Sequence, residues 1–149
     1  MTYPFNRTSV YQEISINTSS PTKLVVMLYE GALKFLRQAI DDIRRKDVAR
    51  KSQSVDRTVA IIQHLQGTLD IEKGQEIAQE LDRLYSYMSS RIFEGSAKLD
   101  VSPLQEVVKL LETLLSGWEE IARKEQEHDA VPTDLLAQQA GAGRFELHA

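Results

Sequence analysis

Residues 21–46, with the sequence PTKLVVMLYEGALKFLRQAIDDIRRK, decide the fold class of this 149-residue chain. Apolar residues recur in this stretch at intervals of three and four, the period of an amphipathic α-helix. On a helical wheel they cover roughly half of the circumference, whereas the apolar stripe of a surface helix covers about 100°. Ser20 and Pro21 suit the N-cap and the first position of a helix. The stretch therefore predicts a long helix that either lies centrally in a bundle or keeps apolar surface for a partner.

The sequence up to residue 127 contains three more segments with this helical period. Asp47 is the expected N-cap of the second helix, and Gly74 marks a break near the start of the third. Ser102, Pro103 and Gln105 form a capping box that begins the fourth. The predicted helices span about residues 21–46, 47–70, 75–99 and 102–127. Because the connections are short and no segment alternates like a strand, we predict an all-α fold, an antiparallel up-down-up-down four-helix bundle.

The two ends of the chain differ from the predicted bundle. Residues 1–20 are too apolar for a solvated leader, and Tyr11 and Ile14 are among their apolar side chains. We expect them to form an arm that packs on the bundle and can be displaced from it. Residues 128–149 lack apolar periodicity and are rich in Ala, Gly and polar residues, so we expect a disordered tail.

Composition excludes several classes of function. A net charge of −4 argues against nucleic acid as a partner, since phosphate binding needs a concentrated basic surface. No apolar run approaches the roughly 20 residues that cross a bilayer, and the N-terminus has no apolar core of a signal peptide. The absence of cysteine fits a reducing cytosol. We therefore expect a cytoplasmic protein with no nucleic-acid partner and no membrane insertion.

The sequence offers no constellation for catalysis or for a metal. The three histidines are isolated from one another, and one Glu-x-x-His pair, Glu125 and His128, has no counterpart on another helix. His64 has no carboxylate three or four residues away, so a boundary position explains it better than a general base. We expect no enzyme, no metal and no cofactor.

Three apolar residues lie outside the apolar stripes of their helices: Ile61, Tyr87 and Phe93. Taken singly, each is better explained by bundle geometry or by ordinary surface exposure. Taken together with the wide apolar face of the first helix and with the arm, they favour a groove for an amphipathic partner helix. In the third helix, Ile77, Leu81, Leu84 and Met88 are expected in the core.

The most specific pattern is LDIEKGQEIAQELDRLYSYMSSRI over residues 69–92, together with Ser20–Pro21 and the run MLYEG over residues 27–31. These motifs resemble those of the flagellar secretion chaperone family, FliS, and Trp118 fits the position of a family tryptophan in the fourth helix. The resemblance covers about residues 10–125. Glu30 departs from the commoner Asp, and Ser90 stands where a second Arg is often found.

The resemblance implies a function. Such chaperones bind the C-terminal segment of flagellin, which is disordered before polymerisation, and present it to the flagellar type III export apparatus. The arm would cover part of the groove in the free chaperone. On this basis the expected flagellin contacts are Tyr11, Ile14, Leu28, Tyr29, Ile61, Leu65, Tyr85 and Tyr87. Leu28, Tyr29 and Tyr85 are equally expected as core residues because they lie within the apolar faces of their helices.

Other functions and partners are also compatible with the sequence. A regulatory or adaptor bundle that binds another helix, such as an anti-sigma factor or a co-chaperone, has the same pattern. The flagellar export gate is a further candidate partner, and an apolar groove also allows a weak homodimer. A bundle enzyme or metalloprotein is the third class, and it lacks candidate residues.

Overall fold

A computed structural model describes residues 21–127, which form four α-helices and contain no strand within that range. The helices are α1 (Pro21–Arg44), α2 (Val48–Gly67), α3 (Ile71–Lys98) and α4 (Val101–Glu127). The all-α prediction is confirmed. The expected arm over residues 1–20 and the expected tail over residues 128–149 lie outside the described residues.

Contacts between helix ends fix the direction of the helices. Thr22 at the start of α1 donates a hydrogen bond of 2.9 Å to Glu125 near the end of α4. Lys51 at the start of α2 donates one of 3.0 Å to the hydroxyl of Ser96 near the end of α3. Each helix packs against two neighbours in the ring α1–α2–α3–α4. Because the connections hold two or three residues and opposite ends meet, the fold is the predicted antiparallel four-helix bundle.

The starts of α2, α3 and α4 follow aspartate caps, whereas Ser20, the expected cap of α1, lies outside the described residues. Asp47 accepts a hydrogen bond of 3.1 Å from the backbone N–H of Arg50, so the predicted cap of α2 is confirmed. The predicted cap of α4 is wrong by two residues. The carboxylate of Asp100 accepts from the backbone N–H of Ser102 at 3.0 Å, and α4 begins at Val101. Pro103 still lies in the first turn, where its missing N–H leaves no bond unmade.

Helix α3 begins earlier than expected and contains a kink. Asp70 caps it by accepting from the backbone N–H of Lys73 at 3.1 Å, and the first turn runs from Ile71. Gln75 interrupts the helix with φ 52° and ψ −127°. This backbone conformation is unfavourable for a residue with a Cβ atom. The break expected at Gly74 therefore exists, but it takes the form of a strained residue within α3.

Two apolar residues, Ile61 and Ile77, differ in burial from what their positions on the helical wheel alone suggest. Ile61, which lies outside the stripe of α2, is buried. Its Cδ1 atom lies 3.4 Å from the point where a Cβ would stand on Gly31, so α1 approaches α2 closely there. Ile77 was expected in the core, and 58% of it is exposed. This exposure matters because Ile77 lines the groove between α3 and α4.

Candidate binding groove

An apolar groove of about 380 Å³ runs between α3 and α4. Each helix contributes three apolar residues at positions i, i+4 and i+7, so each set lies on one face of its helix. The residues are Ile77, Leu81 and Leu84 from α3, and Leu114, Trp118 and Ile121 from α4. Seven residues of helix rise by about 10 Å, so the groove has room for roughly two turns of a partner helix.

Exposure differs along and across the groove. Ile77 at one end is 58% exposed and Ile121 beside it is 41% exposed. Trp118 forms the floor and is only 6% exposed. Leu81 and Leu84 are intermediate, because one side of each packs on the core. The apolar surface is therefore concentrated at the end formed by the start of α3 and the last turns of α4.

Two glycines in this pair of helices have different surroundings. A Cβ atom on Gly95 would lie 2.5 Å from Cδ1 of Leu104 and 2.7 Å from the carbonyl oxygen of Asp100, so glycine is needed for close packing there. Gly117 lines the groove, and a Cβ atom on it would meet nothing within 4 Å. Glycine inside a helix costs about 0.5–1 kcal/mol relative to alanine. No packing contact within the described residues offsets that cost at Gly117.

The floor of the groove rests on a buried polar group of three aromatic residues. The hydroxyls of Tyr29 and Tyr85 lie 2.5 Å apart, and Trp118 hydrogen-bonds to the Tyr29 hydroxyl. Burial raises the pKa of Tyr29 from 10.0 to about 12, although its hydrogen bonds with Tyr85 and Trp118 lower it. Burial likewise raises the pKa of Tyr85 well above 10.0, and the neighbouring Tyr29 adds to the rise. These three residues therefore join α1, α3 and α4 directly beneath the groove.

A polar cluster lies on the same pair of helices beyond Leu84. Tyr87 donates a hydrogen bond of 2.6 Å to Glu106, and Arg91 donates one of 2.7 Å to the other oxygen of that carboxylate. The bonds from Tyr87 and then Arg91 lower the pKa of Glu106, which stays ionised at neutral pH. The cluster crosses from α3 to α4 and ends the apolar groove on that side.

The structure places the expected flagellin contacts in three groups. Tyr11 and Ile14 lie outside the described residues. Five candidates are buried in the bundle: Leu28, Tyr29, Ile61, Leu65 and Tyr85. Tyr87 is 44% exposed and lies at the closed end of the groove. Direct contact by the five buried residues would require the helices to separate, so their assignment stays a prediction.

Sequence reasoning missed most residues of the groove. Those of α3 were placed in the core, and of those in α4 only Trp118 was singled out, as the position of a family tryptophan. A signal was available in the equal i, i+4, i+7 spacing on both helices and in a glycine beside the single tryptophan of the chain. That signal does not reveal which apolar residues a neighbouring helix covers.

Pockets of about 380 and 630 Å³ also lie between α1 and α4, but the charged side chains of Arg37 and Glu112 line both of them, whereas the groove between α3 and α4 is lined mainly by apolar residues. Within residues 21–127 no three side chains of the metal-binding types come together. None of the four described helices is long and apolar enough to span a membrane. A four-helix bundle with an apolar groove between two of its helices belongs to the class of helical proteins whose surface suits an amphipathic partner helix.

Comparison with known proteins gives the family within this class. The sequence model of the family described as Flagellar protein FliS matches residues 4–125. The flagellar secretion chaperone FliSB of Pseudomonas aeruginosa is 36% identical over 124 residues, which cover 80% of this chain and 98% of the relative. The flagellar secretion chaperone FliS of Bacillus subtilis is 32% identical over 121 residues, covering 81% and 90%. That of Salmonella typhimurium is 34% identical over 113 residues, covering 75% and 84%.

The chain belongs to the FliS family. The resemblance seen in the motifs of residues 69–92 and 27–31 is thereby confirmed. The relatives are named as chaperones, and on that ground the expectation of a protein that is not an enzyme is confirmed.

Proposed function

We propose that this protein is a flagellar export chaperone that binds the C-terminal segment of flagellin as an amphipathic helix in the groove between α3 and α4. The single observation that carries the proposal is the pair of facing apolar rows at i, i+4 and i+7. A helix that lays its own apolar face between them would bury the exposed parts of Ile77 and Ile121. Membership of a family whose named members are flagellar secretion chaperones supports flagellin as the client.

The proposed mechanism is to keep a polymerisation segment occupied until export. A segment that is disordered when free orders as it binds, so the complex can be specific and still release its client. Bound in this way, the segment cannot pair with other flagellin molecules in the cytosol, where we propose that the chaperone acts. The complex would then present its client to the flagellar type III export gate.

The N-terminal arm has a proposed role in the free chaperone. An uncovered apolar groove favours aggregation or a weak homodimer. Residues 1–20 supply apolar side chains such as Tyr11 and Ile14 that can cover the groove until flagellin displaces them. Tyr87, at the closed end, is the proposed contact with the polar part of the client helix.

The test compares two substitutions on the same helix. Ile77 and Phe93 are 58% and 49% exposed, but only Ile77 lines the groove. We expect Ile77→Glu to weaken binding of a flagellin C-terminal peptide by about tenfold or more, because a carboxylate would be buried against apolar side chains. Phe93→Glu is expected to leave the affinity unchanged. Isothermal titration calorimetry with the full chain measures both.

The same titration distinguishes flagellin binding in the groove from binding elsewhere and from the adaptor function. Equal losses for the two variants, or none for Ile77→Glu, would show that the client binds elsewhere. Failure of the wild-type protein to bind the flagellin peptide, with clear binding of a helix from an anti-sigma factor or a co-chaperone, would favour the adaptor alternative.

A further inference from the structure

Gly117 stands inside the 27-residue helix α4, ten residues from its end. Glycine is the least favourable residue at such a position apart from proline. Two structural reasons commonly explain a helical glycine: a positive φ, or a close approach by another part of the same protein. No described glycine has a positive φ, and nothing in the described residues lies within 4 Å of a Cβ built on Gly117.

The position of Gly117 within the groove supplies a third reason. Thr113, Gly117 and Ile121 follow one another at four-residue intervals and all line the groove. Residues spaced by four form a ridge along a helix, and packed helices fit their ridges into the grooves of the partner. The ridge formed by these three residues lacks its middle side chain. It therefore contains a notch, with Trp118 next to it on the floor.

We propose that the client helix crosses α4 at Gly117 and inserts one bulky apolar side chain into this notch, against Trp118. The proposal rests on the proposed function, and it adds the point of closest approach and the chemistry of the client residue. That residue is a large aliphatic, methionine or aromatic side chain on the apolar face of the client helix. Glycine at position 117 thus sets which client helices fit.

A pair of glycine substitutions tests the notch. Gly117 and Gly67 are both exposed helical glycines with open space around a built Cβ, but Gly67 ends α2 away from the groove. We expect Gly117→Ala to raise the midpoint of thermal unfolding and to weaken binding of the flagellin peptide by about tenfold, because the methyl group overpacks the contact. Gly67→Ala is expected to bind like the wild type. A variant that is more stable and binds less well cannot owe its loss to misfolding.

An alanine scan of the peptide locates the partner residue. One bulky apolar position is expected to lose much affinity for the wild type on truncation and little for Gly117→Ala, because the substitution has already removed that contact. The emission of the single tryptophan, Trp118, reports whether that side chain reaches the floor of the groove.

The outcomes distinguish this inference from the function beneath it. If the wild type fails to bind the peptide, the proposed function and the notch both fall. If the wild type binds and Gly117→Ala binds equally well, the notch is wrong and the proposed function stands. If both glycine variants bind less well by the same factor, position 117 has no special role, and the inference is again overturned.

Discussion

Tyr29 and Tyr85 place two hydroxyl groups 2.5 Å apart in the interior, where neither side chain has appreciable exposure. A buried hydroxyl without a partner costs about 1–3 kcal/mol, so the pair satisfies itself and also holds Trp118. Such a polar group specifies one arrangement of the core more strictly than three apolar rings could. The floor of the groove therefore has a defined position before any client arrives.

This hydroxyl pair predicts a loss of stability at alkaline pH. Burial raises the pKa of Tyr29 to about 12, against 10.0 for an unburied tyrosine. Above pH 10 the unfolded chain releases a proton that the folded protein keeps, so stability is complete below pH 10 and falls as the pH rises towards 12. The contribution of Tyr29 is on the order of 2 kcal/mol, and Tyr85 acts in the same direction. Urea unfolding followed by circular dichroism between pH 9 and 11.5 measures this loss.

Tyr29→Phe is the control for the alkaline effect, because it removes one of the two ionisable groups and keeps the ring. Its stability is expected to be lower at neutral pH, since the Tyr85 hydroxyl loses its partner, and to fall less steeply above pH 10. The same slope in both proteins would mean that other groups cause the alkaline loss.

The sequence predicted the direction of individual side chains but not always their burial: Met88 was expected in the core and is buried, whereas other residues depend on what lies opposite them. Tyr87 was placed outside the stripe of its helix and is exposed, in agreement with the wheel. Ile61 was placed outside its stripe and is buried, because Gly31 allows α1 to approach it. Ile77 lies on the stripe and is exposed, because no described helix covers that end of α3. A wheel gives the direction of a side chain but not what lies in that direction.

At the scale of the helix, α3 carries its strain at Gln75. A non-glycine residue at φ 52° and ψ −127° costs about 1–3 kcal/mol. The residue stands two positions before Ile77, so the strained turn adjoins the exposed end of the groove. Rotation about this one residue would move the first turn of α3 without disturbing the rest of the helix.

Gln75→Gly is expected to stabilise the protein by about 1 kcal/mol, because relief of the strain exceeds the entropic cost of a glycine. Thermal or urea unfolding gives the change in the free energy of unfolding. Gln79 is the matched position, since it is an exposed glutamine in the helical part of α3. Gln79→Gly is expected to destabilise by about 1 kcal/mol. Two changes of the same sign would exclude strain at Gln75.

The existence of four helices could be predicted from periodicity alone, because each has an apolar stripe of about four turns or more. The start of a helix was harder to predict where two nearby residues could each serve as its N-cap, because the sequence does not show which of them does so. Asp100 prevails over Ser102 at α4, since Leu99 turns the chain with φ 54° and brings that carboxylate to the first free N–H groups. Asp47 had no such competitor, and its cap was predicted correctly.

At the scale of the whole molecule, polar contacts close both ends of the bundle. Thr22 meets Glu125 at one end, while Lys51 reaches Ser96 at the other. Asp42 is buried near that second end and accepts from Ser54 at 2.9 Å and from Gln38 at 2.9 Å. The bonds of Thr22, Lys51 and Ser54 link neighbouring helices and so help to set their register. The bonds of Tyr87 and Arg91 to Glu106 join α3 to α4, whose rows form the groove. A groove was expected, but its position between α3 and α4 could not be predicted, because it depends on how two separate sequence segments pack together.

The arm is also a property of the whole chain. If residues 1–20 compete with flagellin for the groove, Tyr11→Ala combined with Ile14→Ala should bind the flagellin peptide several-fold more tightly, because less of the free chaperone has its groove covered. Titration calorimetry measures the change against the unaltered full chain. A weaker complex would instead make these side chains contacts of the client. Unchanged affinity would remove the arm from the mechanism.

The cluster of Tyr87, Arg91 and Glu106 gives the groove one closed end, whereas Ile77 and Ile121 leave the other end exposed. A helix seated between the rows can therefore be peeled away from the exposed end, one turn after another. Each step breaks the contacts of about one turn, so a weak directional pull at the correct terminus can empty a site that resists simultaneous detachment. If the client helix binds as proposed, the shape of the groove therefore sets the end from which it would be unloaded.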